Sequence, residues 1–351
     1  MQGTVEPAQP GKDLPGKSLP GNNQPWKARL GLSMLVLLAL MLAALFFGRY
    51  PSPGFMSIRT LIDDPVALRL LILIRLPRIL MAALTGAVLG GAGCVFQLIF
   101  SNPLVDAGFL GVSQGASFGA ALALVLGLGS YWLFGLAFVF SILALGFSVF
   151  MAERIRFGGA VLRLILSGIA VSAFFSALVA LLKYVADPMK ALPDIAYWMM
   201  GGLSGASWQT VRLAAPVALI TLTMLIVLRW RTTILSLDEA TAVSLGSRPH
   251  LERSVVLGVA ALGVAAISAV AGIVSWVGLI VPHVSRQVLG TDGSSTIPGS
   301  AILGACFVVI CDTISRGLYS GELPLGITTA LIGTVVFFIM LMSRRIRVER
   351  G

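Results

Sequence analysis

Eight stretches of this sequence, between 16 and 46 residues long, carry no charged residue apart from Asp312 in the seventh: 30–48, 79–105, 107–152, 164–182, 213–228, 254–285, 293–315 and 323–343. A helix needs about 20 predominantly apolar residues to cross the hydrocarbon core of a bilayer. That pattern forces a membrane-spanning fold. With 57% apolar and 11% charged residues, the chain carries more apolar surface than a water-soluble domain of 351 residues can bury. Water-soluble enzymes are excluded as a class.

Two of the stretches are too long for a single crossing. The 46-residue stretch breaks at Gly127-Leu128-Gly129-Ser130, where glycines permit a tight turn. The 32-residue stretch is interrupted by Gly272, Gly278 and Pro282. The count becomes ten spans, several short or glycine-broken, which survive in a membrane only where neighbouring helices or water satisfy the freed backbone. An even number puts both termini on one side. Placing them in the cytoplasm assigns 16 of the 25 lysines and arginines to inner segments and nine to outer ones, in keeping with the positive-inside tendency. Four of those nine, Arg59, Arg69, Arg75 and Arg78, crowd ahead of the second span and ask for a functional explanation. The net charge of +10 is thereby assigned to loops beside lipid, not to nucleic acid.

The expected organisation is a disordered cytoplasmic tail over residues 1–29, rich in Pro, Gly, Asn and Gln, a ten-helix domain over 30–345, and a cytoplasmic C-terminal tail over 346–351. Glycines spaced by four (Gly86/Gly90, Gly111/Gly115, Gly115/Gly119, Gly201/Gly205) read as close helix packing inside the bundle in preference to a dimer contact. Three scattered cysteines and two histidines argue against a disulfide framework and against a metal site.

Three motifs invite other functions. Residues 11–18, Gly-Lys-Asp-Leu-Pro-Gly-Lys-Ser, match the P-loop pattern, but no strand precedes them and Leu19-Pro20-Gly21 follows where a helix is required. Gly202-Leu203-Ser204-Gly205 has the GxSG form of rhomboid intramembrane serine proteases, with His283 as the available base. Ser204 is expected at the outer end of the bundle and His283 towards the inner end, so the pair reads as a turn residue and a helix-end residue. An ion-coupled carrier needs carboxylates or histidines in the bilayer middle. Here the acids lie in loops or near span ends. Asp312 comes closest to an exception, and Arg316 one turn later is its i,i+4 partner.

The remaining motifs occur in a fixed order: Arg75-Leu76-Pro77-Arg78; Ser101-Asn102-Pro103-Leu104 leading to Gly111-Val112-Ser113-Gln114-Gly115; Leu237-Asp238-Glu239-Ala240 through Leu245-Gly246; Val281-Pro282-His283; Asp312-Thr313-Ile314-Ser315-Arg316; and Glu322-Leu323-Pro324-Leu325-Gly326. Together they resemble the FecCD family of ABC importer permeases, over about residues 30–345. The resemblance implies an all-α, ten-helix type II importer permease that is not itself an enzyme. It further implies a homodimer in the bacterial inner membrane, two ABC ATPase subunits that hold the ATP and Mg, and one external substrate-binding protein. No cofactor is expected on this chain. The cargo implied is an iron–siderophore complex, haem or vitamin B12. By the same resemblance Arg75, Arg78 and Arg316 pair with carboxylates of the binding protein. Asn102, Leu104, Ala160 and Val161 form a cytoplasmic gate, and residues 236–246 form a coupling helix that touches the ATPase through Leu237, Asp238, Glu239, Ala240, Leu245 and Gly246. Ser236 and Glu239 have the spacing of a capping box for that helix, and Gly246 is placed to end it. The sequence departs from the family at Ala160-Val161, where hydroxyl residues stand in the vitamin B12 permease, at Trp276, where phenylalanine is usual, and at Thr334-Val335, where a proline is common.

Overall fold

The computed structural model describes residues 25–50, 52–106, 108–318 and 321–342. The first span, α1 (Pro25–Phe46), leads into a two-residue hairpin pairing Phe47 with Phe55 and Gly48 with Gly54, and then α2 (Ile58–Asp63). Next, α3 (Pro65–Leu70) and α4 (Leu76–Ile99) join through one wide π turn, Leu71–Arg75, into a single apolar run. Then come α5 (Val112–Val125), α6 (Ser130–Arg154), α7 (Ala160–Val185), the short α8 (Ala191–Met199) and α9 (Trp208–Val227). Two small helices, α10 (Arg229–Leu235) and α11 (Glu239–Ser244), precede α12 (Pro249–Ala271), α13 (Val277–Leu289), α14 (Gly293–Leu318) and α15 (Leu325–Met342). Among the described residues eight helices are long and apolar enough to cross a membrane; the shorter α5 and α13 bring the total to ten.

Both expected breaks are present. α5 ends just before Gly127, which turns left-handed at φ +65°, and α6 restarts at Ser130. The second break is narrower than the sequence suggested. It spans Gly272–Trp276, with both end residues at positive φ, while Gly278 and Pro282 sit inside α13. Pro282 is tolerated there because a side chain replaces the hydrogen bond it removes. Gly278 O, four residues upstream, would have received the missing N–H. Gln97 Nε2 of α4 donates to it at 3.2 Å, and to Leu279 O at 3.0 Å.

α1 starts at Pro25, five residues earlier than charge counting implied. Proline preorganises a first turn, and Lys27 and Arg29 ride on it, Arg29 Nη1 donating to Val288 O at the end of α13. The rest of the expected tail, including the 11–18 motif, lies outside the described residues, as does the segment 346–351.

α4 is the axis of the bundle. Within its most apolar window, 78% of residues are buried, against 17–28% for α1, α6, α7, α9 and α15, which therefore present apolar surface outward. The glycine spacing explains how α4 becomes so enclosed. A Cβ on Gly86 would strike the carbonyl of Gly304 in α14, one on Gly90 that of Ser300, and one on Gly93 that of Gly278. Gly115 and Gly119 lie equally close to Phe140 and Leu136 of α6. These pairs serve packing within the chain, whereas Gly111 and Gly201 occupy left-handed turns and Gly205 faces open space. The alternation of helices leaves two working ends: a tail face, where α1 begins and α10–α11 lie, and an opposite arginine face, carrying the hairpin, α2 and α8.

Candidate functional site

At the arginine face, the π turn ahead of Pro77 directs Arg75 and Arg78 inward. Such bulges recur at functional sites, where they re-aim a side chain without ending the helix. Arg78 Nε lies 2.9 Å from Asp312 Oδ1, and its Nη1 lies 2.8 Å from Glu322 Oε2. Arg316 Nε approaches Asp312 Oδ2 at 3.1 Å across one helical turn, as the spacing predicts, and Nη2 donates to Ala44 O. This Arg316–Asp312 contact is an ion pair too poorly aligned for a hydrogen bond, and leaves both atoms without one among the described residues. Arg75 instead donates to the main chain, at 2.9 Å to Leu45 O and 3.2 Å to Tyr50 O. All three guanidiniums are buried, with 7–8% of each residue exposed.

The structure thus brings together the three arginines named from sequence, buried and bonded, not snorkelling into water. Arg59 and Arg69, which share the sequence cluster, are separate and exposed on α2 and α3. The sequence reading missed Arg49, whose guanidinium caps the end of α14 through Arg316 O and Gly317 O, each at 3.2 Å. It is a cation placed where a helix dipole is negative. Arg49, Arg75, Arg78, Arg316, Tyr50 and Glu322 line one cavity of about 260 Å³. Among the described residues four guanidiniums line it with one carboxylate, Glu322, while Asp312 pairs with Arg78 and Arg316 behind the wall, so positive charge is in excess. Nearby, the Tyr50 hydroxyl donates to Asp64 at 2.5 Å; this bond holds the Asp64 carboxyl below its usual range and pushes the phenol up.

At the tail face, the loop after α4 is braced by Asn102, whose Oδ1 accepts Leu104 N–H at 2.9 Å, and by His283 Nε2, 3.1 Å from Pro103 O. Leu104 projects outward, 61% exposed. Ala160 opens α7 and Val161 packs against the main core. Both line a cavity of about 250 Å³ whose walls do not include Asn102 or Leu104. The four expected gate residues share a face of the molecule but not one cavity of the single chain.

The expected coupling segment contains a real helix with a different cap. Ser236 is not the N-cap; its hydroxyl donates back to Thr233 O at 2.7 Å, as the end of α10. Asp238 takes the role, its Oδ2 accepting Thr241 N–H at 2.9 Å, which holds this carboxyl below its usual range. The helix is therefore shorter and the box does not form. Gly246, at φ +77°, ends it as expected. Leu237, Asp238, Glu239, Ala240, Leu245 and Gly246 are all exposed, while Ala242 packs inward. Glu239 and His250 of α12 approach to 3.5 Å, joining the small helix to a long one.

Ser204 lies at the arginine face, 3.1 Å from the Tyr197 hydroxyl, and His283 is engaged with Pro103 at the tail face, so the two do not form a dyad. Trp276 holds a left-handed conformation at φ +73° at the head of α13, its ring 5.9 Å from that of Phe337, and α15 runs through Thr334-Val335 without a break.

The FecCD transport family matches this chain over residues 35–344. The chain belongs to that family. The molybdate import permease of Haemophilus influenzae is 38% identical over 279 residues, spanning 79% of this chain and 82% of that protein. A probable iron chelatin permease of Helicobacter pylori is 38% identical over 272 residues (78% and 82%). The vitamin B12 import permease of Escherichia coli is 34% identical over 316 residues (89% and 94%). A solved metal-chelate type ABC transporter in an inward-facing conformation superposes with a TM-score of 0.84 at 35% identity, covering 90% of this chain and 99% of that one. The FecCD protein described here is accordingly a multi-pass membrane permease of the ABC importer type, and its helices have that architecture.

Proposed function

We propose that this FecCD permease is the membrane conduit of a binding-protein-dependent importer for a chelated metal or corrinoid: an iron–siderophore complex, haem or vitamin B12. It works as a homodimer with two ATPase subunits and an external binding protein, in the bacterial inner membrane with both termini in the cytoplasm. The observation that supports this reading is the presence of two distinct surfaces at opposite ends of the enclosed α4 axis. One is the arginine cavity, the other the exposed, capped α11.

Arg75 lies in the first surface without a carboxylate of its own among the described contacts, and Arg78 shares its charge with the partly exposed Glu322. An acidic side chain of the binding protein can therefore pair with Arg75 and displace Glu322, the planar guanidinium fork holding a carboxylate by two bonds. At the other end, Leu237, Ala240 and Leu245 give a groove on the ATPase something apolar to grip. ATP and Mg act on that partner. Closure there pushes α11, which is tied to α12 through Glu239 and His250. The gates, Asn102 and Leu104 after α4 and Ala160 and Val161 at the head of α7, then part or close. Soft or charged ligands in the passage are not required, because a pre-chelated cargo shields its metal.

The test is reconstitution of the full chain with its ATPase and binding protein in sealed vesicles. The cargo arms are a ferric siderophore, haemin, cobalamin and molybdate. ATP-dependent accumulation of one of the first three is expected, surviving Ser204→Ala and an uncoupler. Accumulation of molybdate alone would reassign the cargo. No ATP-dependent uptake of any cargo, or uptake that collapses with the uncoupler and ignores the ATPase, would refute the proposal.

A further inference from the structure

The cavity beside the head of α7 has a composition that the transport path does not explain. Its wall is apolar where Leu145 and Val149 of α6, Leu164 of α7 and Leu257 of α12 face one another. Two arginines stand in that wall. Arg163 spends Nη1 on Ile155 O at 3.2 Å and Arg253 spends Nη2 on Leu235 O at 3.4 Å. In each, the Nε–H is buried and has no acceptor among the described residues. Each guanidinium thus stands beside an apolar wall with a single described acceptor, and a charged group left short of hydrogen bonds in a buried setting is costly. A third feature points the same way. The residue ahead of α7 is Gly159, which offers no side-chain cap, so the positive end of that helix opens beside Ala160 and Val161 in the same cavity. The groups of other charge or titration at the mouth are the exposed Glu153 and the exposed His250, the latter facing Glu239.

We propose that this cavity holds the phosphodiester of an anionic membrane phospholipid, its oxygens accepting from the Arg163 and Arg253 guanidiniums and its acyl chain lying along the Leu145–Leu257 wall. Basic pockets between membrane helices suit phosphate headgroups, and the apolar wall selects an amphiphile over a free anion. The bound lipid bridges α7 to α12 and steadies the helix whose first two residues are the expected gate.

The experiment uses the full chain purified in a neutral detergent, with bound lipid read by native mass spectrometry. Three probes are added separately: phosphatidylglycerol, phosphatidylcholine and inorganic phosphate. Retention of phosphatidylglycerol over phosphatidylcholine is expected, without competition from inorganic phosphate, and Arg163→Gln with Arg253→Gln together should weaken it about tenfold or more, a loss of about 1.4 kcal/mol. Equal retention of phosphatidylcholine, or undiminished retention in the double variant, would overturn the proposal. Displacement by inorganic phosphate would overturn the lipid in favour of a free anion. Should the double variant fail to fold, Leu257→Trp, which fills the cavity and keeps both arginines, provides the second reading: lost retention supports the site, and unchanged retention refutes it.

Discussion

Asp312 is the residue on which the arginine face turns. It is 1% exposed and carries the charge that Arg78 and Arg316 both approach. Its removal leaves two buried guanidiniums facing each other, so Asp312→Ala should destabilise the permease by about 3–5 kcal/mol, the usual cost of breaking a buried pair. Glu322→Gln removes only the partly exposed partner and should cost under about 1 kcal/mol. Thermal unfolding in detergent separates the two, and equal losses would show that the cluster is held by packing. A second residue-scale case is Gln97, which serves the carbonyl freed by Pro282 and accepts from Arg286 Nη2 at 2.6 Å. Gln97→Leu keeps the bulk but strands both groups, for a loss of about 1–3 kcal/mol in the same unfolding assay. The i,i+4 spacing of Asp312 and Arg316 was legible in the sequence. The roles of Arg49, Glu322 and Gln97 were not, because their partners lie 181–268 residues away and no local spacing encodes such a pairing.

At the scale of elements, the two breaks in the long apolar stretches were legible because glycine is the residue that turns a chain left-handed cheaply. Trp276 was not, since a bulky side chain at φ +73° is imposed by its packing against Phe337 and Gly333. The cap of α11 shows competition between two local signals. Ser236 and Asp238 can both start a helix, and Ser236 is consumed by the end of α10. Its replacement has a pH consequence. The Asp238 carboxyl titrates lower in the folded protein than an unperturbed aspartate does. The cap is therefore fully present above the unperturbed value and is lost as pH falls through the lower, folded one. Asp238→Ala should impair ATP-driven uptake severalfold at neutral pH while leaving binding-protein docking intact, and Asp238→Asn should restore most of it. If transport and docking fall together, α11 acts on the fold and not on coupling. The α4–α14 contact makes a sharper demand. Gly90→Val sets its Cβ against the Ser300 carbonyl, an overpacking cost of about 1–3 kcal/mol that Gly205→Val, in open space, should not incur.

The whole molecule is polarised along the axis of the bundle, and the proposed direction of transport depends on which end faces the cytoplasm. The helices alternate, so α10 and α11 share a face with the start of α1, while the end of α7 and α8 share the face of the arginine cavity. The proposed orientation puts the tail face in the cytoplasm, in line with the 16-to-9 division of lysines and arginines expected from the sequence. The three native cysteines, Cys94, Cys306 and Cys311, are all buried, with at most 7% exposed, so the natural chain provides a quiet background for labelling. Tyr184, 88% exposed at the end of α7, and Leu245, 55% exposed just after α11, are suited to carry a single added thiol at either end. In intact spheroplasts a membrane-impermeant maleimide should modify Tyr184→Cys and spare Leu245→Cys, and permeabilisation should expose the second. The reverse pattern would invert the bundle. The arginine cavity would then face the cytoplasm and α11 would lie where no ATPase can reach it, so an importer could not be assembled around this chain in that orientation.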